Sequence, residues 1–233
     1  FDKKDFYLLD EYVDEYHVIS QKTKEQLNTL TDKKITSIPF WVNQKKFYPI
    51  QNKNKLRKEY GFMKKDFLIG SFQRDTESKD LVSPKYIKGP DIFFNLINDL
   101  YSKNKNLKVV LAGKRRQYLI QKLDENKIPY KYFKMVDINK LNDLYNLLDL
   151  YIVSSRIEGG PQSIIECSLS KTPIVSTDVG VASEILSPKS IYKIDDFENA
   201  KPDIDYAFNQ AQKYTIPNGM ILFRDMLNKF YEN

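Results

Sequence analysis

The chain has 233 residues, one cysteine and a formal net charge of +6, from 37 Lys and Arg against 31 Asp and Glu. Aromatic residues make up 13% of it, too many for a disordered chain, and a single cysteine excludes a disulfide scaffold. No apolar run reaches the roughly 18 residues that span a bilayer, and no basic segment followed by an apolar core opens the chain, so neither a transmembrane helix nor a signal peptide is expected.

Strands are predicted at residues 17–20, 35–39, 67–72, 107–112, 130–134, 148–153, 173–176 and 191–194. Several are continuous apolar runs rather than alternating ones. Leu107-Lys108-Val109-Val110-Leu111-Ala112 and Leu150-Tyr151-Ile152-Val153 are the clearest. Such runs suit strands buried on both faces, as in a parallel sheet. Helical stripes fall between them. Ile92, Phe93, Leu96, Ile97 and Leu100 share one helix face over residues 91–101, and Leu141, Leu144, Tyr145 and Leu148 share another over 139–148. Strand and helix in this alternation predict an α/β fold with a doubly wound parallel sheet. Ligands in such sheets bind at the carboxyl ends of the strands. Residues 43–58 are polar and read as a boundary, and residues 74–90 read as a long loop after a strand.

Charge gives little direction. Lysines alternate with acids along the chain, as at Lys3, Lys4 and Asp5 or Asp32, Lys33 and Lys34, which reads as a solvated surface rather than a nucleic-acid footprint. Lys114-Arg115-Arg116 is the tightest basic cluster; it either edges the ligand cleft or solvates a helix. A weak attraction to anionic membrane surfaces stays open on the same ground.

The most informative window runs from Tyr151 to Leu186. A buried strand ends at Ser154, the turn Ser155-Arg156-Ile157-Glu158-Gly159-Gly160-Pro161 follows, and a helix begins near Gln162 or Ser163. Glycines before a helix N-terminus let backbone amides approach an anion, and the helix dipole favours negative charge there. The pattern is that expected of a diphosphate seat. Glu158 precedes the helix and Glu166 lies within it. A carboxylate accepts two hydrogen bonds and suits the paired hydroxyls of a ribose or sugar. Arg156 either orients the loop or touches ligand. Cys167 lies on the apolar face and reads as packing, and His17, the only histidine, as structural.

Glu158-Gly159-Gly160-Pro161-Gln162-Ser163-Ile164-Ile165-Glu166 resembles the Glu-x7-Glu donor motif of retaining glycosyltransferases of family 4, which have the GT-B fold. Ser155-Arg156 before it, Pro173 to Gly180 after it and Glu184 beyond also resemble that family. Gly160 stands where the family has Phe, and Pro161, which has no N–H, where it has Gly. Residues 35–43, with Phe47-Tyr48-Pro49, resemble the interdomain segment. Phe67 to Phe72 followed by Gln73-Arg74 resembles the strand that opens the donor domain, with Gln73 replacing Gly, and Lys88-Gly89 resembles the Lys-Gly after it. Leu111-Ala112-Gly113 is similar to a further strand end of the family.

The resemblance implies a Rossmann-like sheet forming the C-terminal half of a GT-B glycosyltransferase. It implies donor contacts from Arg74 and Lys88 to the diphosphate, from Gly159, Gly160, Gln162, Ser163 and Glu166, and from Met135 near the base, with Glu158 catalytic. It implies a nucleotide-diphospho-sugar donor such as a UDP- or GDP-sugar and hexosyl or related transfer to a glycan, lipid or other acceptor, as in polysaccharide biosynthesis; the dispersed charge noted above leaves no nucleic-acid partner expected. With no Asp-x-Asp and one histidine, no metal and no other cofactor are expected. A non-catalytic or epimerase-type GT-B nucleotide-sugar-binding protein is the alternative.

At about 100–200 residues per domain, the chain is short for two domains, and Phe1 stands where a start Met would be. The expected organisation is a remnant of the acceptor-side domain and interdomain segment over 1–38, a donor-binding domain over 39–215 and a crossing helix over 216–233. The expected setting is cytoplasmic, with a peripheral membrane contact as an option.

Overall fold

The computed structural model describes residues 3–77, 79–229 and 231. The ends of the expected 1–38 and 216–233 segments lie outside the described residues. The chain starts with α1 (Lys3–Asp10) and a small parallel unit, β1 (Glu15–Val18), α2 (Gln21–Asn28) and β2 (Lys34–Ser37), whose register pairs Glu15 with Lys34 and Val18 with Ser37. The first strand lies two residues earlier than expected, because Ser20 is the N-cap of α2 and accepts from the Thr23 amide.

The polar stretch 43–58 contains α3 (Lys53–Glu59), capped by Asn52. Then follow β3 (Phe67–Ser71), α4 (Pro90–Lys103), β4 (Leu107–Ala112), α5 (Gln117–Glu125), β5 (Tyr130–Phe133), α6 (Ile138–Leu147), β6 (Leu150–Val153), α7 (Gln162–Leu169), β7 (Ile174–Thr177), α8 (Ala182–Ile185), β8 (Ile191–Tyr192), α9 (Ile204–Ala211) and α10 (Asn218–Asn228).

The main sheet has six parallel strands in the order β5-β4-β3-β6-β7-β8. Its apolar runs are continuous because alternate residues enter two different cores. Leu68, Val110, Tyr151 and Val153 pack on one face with Leu144, Tyr145, Ile164 and Ile165. Ile69, Val109, Leu111 and Ile152 pack on the other with Phe93, Ile97, Leu119 and Leu123. Thus α6 and α7 cover one face, and α4 and α5 the other. This is the expected doubly wound α/β sheet.

The strand order reverses between β3 and β6, which pair through Ile69 with Leu150 and Gly70 with Tyr151. Beyond the carboxyl ends of these two strands the covering helices diverge and leave a crevice. The described residues of the loop after β3 are held at several points. Thr76 bridges Pro84, a short turn of 3-10 helix spans Tyr86–Lys88, and Gly89 starts α4 in the left-handed conformation at φ 61°. A side chain at Gly89 would put its Cβ 1.8 Å from the Ser154 carbonyl oxygen, so glycine is required where this loop crosses the end of β6.

Candidate active site

The crevice holds a cavity of about 770 Å³, lined among others by Phe72, Gln73, Lys88, Gly113, Met135, Tyr145, Glu158, Gly160, Gln162, Ser163 and Glu166. Its walls are the ends of β3, β4 and β6, the 86–88 turn and the first two turns of α7.

Lys88 enters from the loop before α4. Its Nζ lies 2.5 Å from Glu158 Oε1, and Ser155 Oγ lies 3.1 Å from the same oxygen. Gln73 fixes both sides of this pair. Its Nε2 donates to the Lys88 carbonyl at 2.7 Å, and its Oε1 accepts from Ser155 at 3.0 Å. Gln73, the departure from the family's Gly, therefore acts as a brace between the two loops.

The N-terminus of α7 opens onto the cavity at Pro161, Gln162 and Ser163. First-turn amides of a helix have no partner within it and present partial positive charge. The proline costs one donor, but the next two amides remain. Gly160 also has a steric reason. A Cβ there would lie 3.0 Å from Ile19 and 3.5 Å from Phe40, so these two apolar side chains occupy the space a larger residue would need.

Glu166, on the second turn of α7, projects into the other part of the cavity. Its Oε2 accepts from the Tyr145 hydroxyl at 2.6 Å. Burial raises the pKa of Glu166, and the Tyr145 hydrogen bond partly opposes this by favouring the ionised form. The Tyr145 phenol is itself held well above its ordinary range, first by burial and then by the Glu166 charge, so it stays a donor.

The structure thus brings Lys88, Glu158, Gly160, Gln162, Ser163, Glu166 and Met135 to one cavity. Gly159 lies in the same turn, against Ile19. Arg74 is not brought there; it is exposed and absent from the cavity wall. Arg156 turns away to form a two-pronged pair with Asp91, at 2.8 and 2.6 Å, and ties the turn after β6 to the start of α4. Cys167 is buried, and burial pushes its thiol up. His17 hydrogen-bonds the Ile38 carbonyl at 2.8 Å.

Of the Lys114-Arg115-Arg116 cluster, Arg116 is neither on the cleft edge nor on a solvated helix face. It is buried beneath the loop after β3, 3.3 Å from Asp75, with Nη2 donating to the Ser71 carbonyl. Tyr151 also lines the cavity, its hydroxyl accepting from the Phe72 amide at 3.0 Å, and sequence reasoning singled out none of Gln73, Tyr145 and Tyr151 as site residues. Gln73 stood out only as a departure from the motif, and the two tyrosines only as members of apolar stripes.

Among the described residues, no group of three or more His, Cys, Asp or Glu could hold a metal ion, and no helix is long and apolar enough to cross a membrane.

No curated protein sequence matches the chain. Its fold is that of several solved structures. The sucrose-phosphate synthase of Thermosynechococcus elongatus superposes with a TM-score of 0.77 at 14% identity, over 94% of this chain and 59% of that one. Anabaena Alr3699/HepE, solved in complex with UDP and glucose, superposes with 0.76 at 14% identity, over 100% of this chain and 68% of that one. A glycosyltransferase of Rickettsia africae superposes with 0.69 at 17% identity, over 93% and 62%. The chain therefore spans about 60% of the length of the first of these. Residues 52–215, well over half of the chain, match the model of the family described as glycosyl transferases group 1. The chain belongs to the group 1 glycosyl transferases, and its sheet resembles the C-terminal, donor-binding half of their GT-B fold.

Proposed function

We propose that this chain is the donor-binding half of a retaining, family 4-like glycosyltransferase and seats a nucleoside-diphosphate sugar in the cavity between β3 and β6. The observation that carries this reading is the meeting of a cation, a helix N-terminus and two carboxylates in one cavity at the switch point of the sheet. Lys88 and the amides of Gly160, Gln162 and Ser163 take the diphosphate, whose negative charge grows as the glycosidic bond breaks. Glu166 accepts from the ribose hydroxyls. The surface by Met135, Val136 and Leu141 takes the base.

Glu158 takes the reacting end, where a carboxylate stabilises positive charge developing on the anomeric carbon. The leaving group is neutralised by Lys88 and the helix terminus, and no metal or other cofactor enters the proposal. The relatives Alr3699/HepE, solved with UDP and with UDP-glucose, support a UDP-sugar as the first donor to test. A hexosyl or related group would pass to a glycan, lipid or other hydroxyl-bearing acceptor held by a separate acceptor-binding domain, within the cytoplasm and with peripheral contact to the membrane. Calorimetric titration with UDP-, GDP- and ADP-sugars tests the donor assignment. Binding of one of them supports it, and no heat from any at millimolar concentration removes it.

A further inference from the structure

Tyr145 places a hydroxyl at the edge of a cluster of aromatic rings, where that cluster meets the cavity. It sits on the buried face of α6, is 2% exposed and is packed by three other rings: Phe72 at 5.0 Å, Tyr151 at 5.6 Å and Phe47 at 6.1 Å between centroids. Its carbonyl accepts from Thr172 Oγ1 at 3.0 Å, which fixes the backbone at the same point. A phenylalanine would fill this space as well. A buried hydroxyl is costly unless it is hydrogen-bonded, and this one donates to Glu166 Oε2 at 2.6 Å. Among the described residues, no donor reaches Glu166 Oε1, and the Glu166 side chain lines the cavity.

We propose that Tyr145 is the positioning residue for Glu166: its ring-clamped hydroxyl holds one carboxylate oxygen so that the other is presented, ionised and correctly turned, to the hydroxyl pair of the bound nucleotide's ribose. The inference rests on the proposed donor reading. Removing the hydroxyl leaves a half-buried carboxylate with no protein donor, which favours the protonated form. A protonated Glu166 is a poorer acceptor of two hydroxyl protons. The other ionisable groups facing this region are Tyr151 on β6, Cys167 next to Glu166 on α7, and the Lys88–Glu158 pair on the cavity wall. The tyrosine and the cysteine are held above their ordinary values by burial, so neither titrates on the acid side of neutrality.

The test is the pH profile of nucleotide affinity. UDP, GDP and ADP, each beside its 2′-deoxy counterpart, are titrated into the wild type, Tyr145→Phe, Glu166→Gln and the double variant between pH 5 and pH 8. The wild type should prefer one ribonucleotide over its 2′-deoxy form by about 10-fold, the effect of one hydrogen bond to a charged group. Tyr145→Phe should keep the wild-type melting temperature within a few degrees, lose about 3- to 10-fold in ribonucleotide affinity at neutral pH, and move the acid limb of its profile to higher pH. It should bind the 2′-deoxy form almost as the wild type does. In the Glu166→Gln background the second substitution should move neither affinity nor profile.

A Tyr145→Phe profile that overlays the wild type, while Glu166→Gln loses the ribose preference, overturns the positioning role alone. Absence of binding in the wild type, or an unchanged preference in Glu166→Gln, overturns the ribose assignment and this inference with it.

Discussion

Lys88 Nζ and Glu158 Oε1 lie 2.5 Å apart on the wall of one cavity, so the cation assigned to the diphosphate is already paired with the carboxylate assigned to the reaction. On the proposed reading, an arriving diphosphate would share Lys88 with Glu158 rather than meet a bare charge. The two residues should therefore behave oppositely when neutralised. Lys88→Ala should weaken nucleoside-diphosphate binding by about 10- to 100-fold, the range for a charge-assisted contact. Glu158→Gln should leave binding equal or tighter, because it frees the lysine. Calorimetry on both variants checks this, and equal losses would contradict it.

Gln73 and Arg74 are adjacent, yet only the first reaches the site. Gln73 braces the Lys88 carbonyl and Ser155, whereas Arg74 is exposed and off the cavity wall. Gln73→Ala should weaken nucleotide binding by about 3- to 10-fold through a looser Lys88, in line with about 1 kcal/mol for a neutral hydrogen bond. Arg74→Ala should change affinity by less than about 2-fold, as for an exposed charge. A larger loss in Arg74→Ala, measured in the same titration, would show that the loop moves it to the ligand.

Gly89 combines a positive φ of 61° with a close approach to the Ser154 carbonyl. Gly61 has a φ of 72°, but a Cβ there would meet only the flexible end of Lys131, at 3.3 Å. Alanine at either position costs the backbone penalty, of about 1 kcal/mol. Gly89→Ala should lose clearly more, since either α4 or the end of β6 must move. Urea unfolding of the two variants measures the difference, and equal losses would argue against the close approach.

Asp75 gives the fold a pH dependence. Burial raises its pKa to about 6, from 3.8, with Arg116 opposing. A carboxyl raised in the folded state adds stability that is complete below its unfolded pKa and is lost as pH rises through the folded one. Stability should therefore fall between about pH 4 and pH 6 by up to about 3 kcal/mol, and Asp75→Asn should flatten that interval. Arg116→Met should cost about 3–5 kcal/mol above pH 6, where it leaves a buried charge unpaired. Unfolding midpoints at pH 4.5, 6 and 7.5 read both effects.

The sheet was legible where the sequence is continuous and apolar. β4 and β6 announce themselves because both faces are covered. The α7 turn was legible because glycines directly before a helix N-terminus mark a place where backbone amides are open to a ligand, and two glutamates flank it. α3 was not, because Lys53–Glu59 is almost wholly polar and held by its Asn52 cap and by Leu56 and Arg57, which pack inward. Tyr145 was hidden because its helical spacing reads as core, which it also is. Arg116 was hidden because its partner Asp75 is 41 residues away, and three basic residues in a row read as surface until the fold brings the carboxylate to them. Gln73 could have been found from one signal, an amide side chain where the family pattern has none.

The most direct measurement of the central claim is calorimetric titration of UDP-, GDP- and ADP-sugars into the wild type and Glu166→Ala. Saturable binding of one donor should appear in the wild type and weaken by about 10-fold or more in Glu166→Ala, as expected for loss of a charged hydrogen-bond acceptor. No binding of any donor at millimolar concentration, or equal affinity in the variant, would contradict a ribose-reading donor site at the β3–β6 crevice.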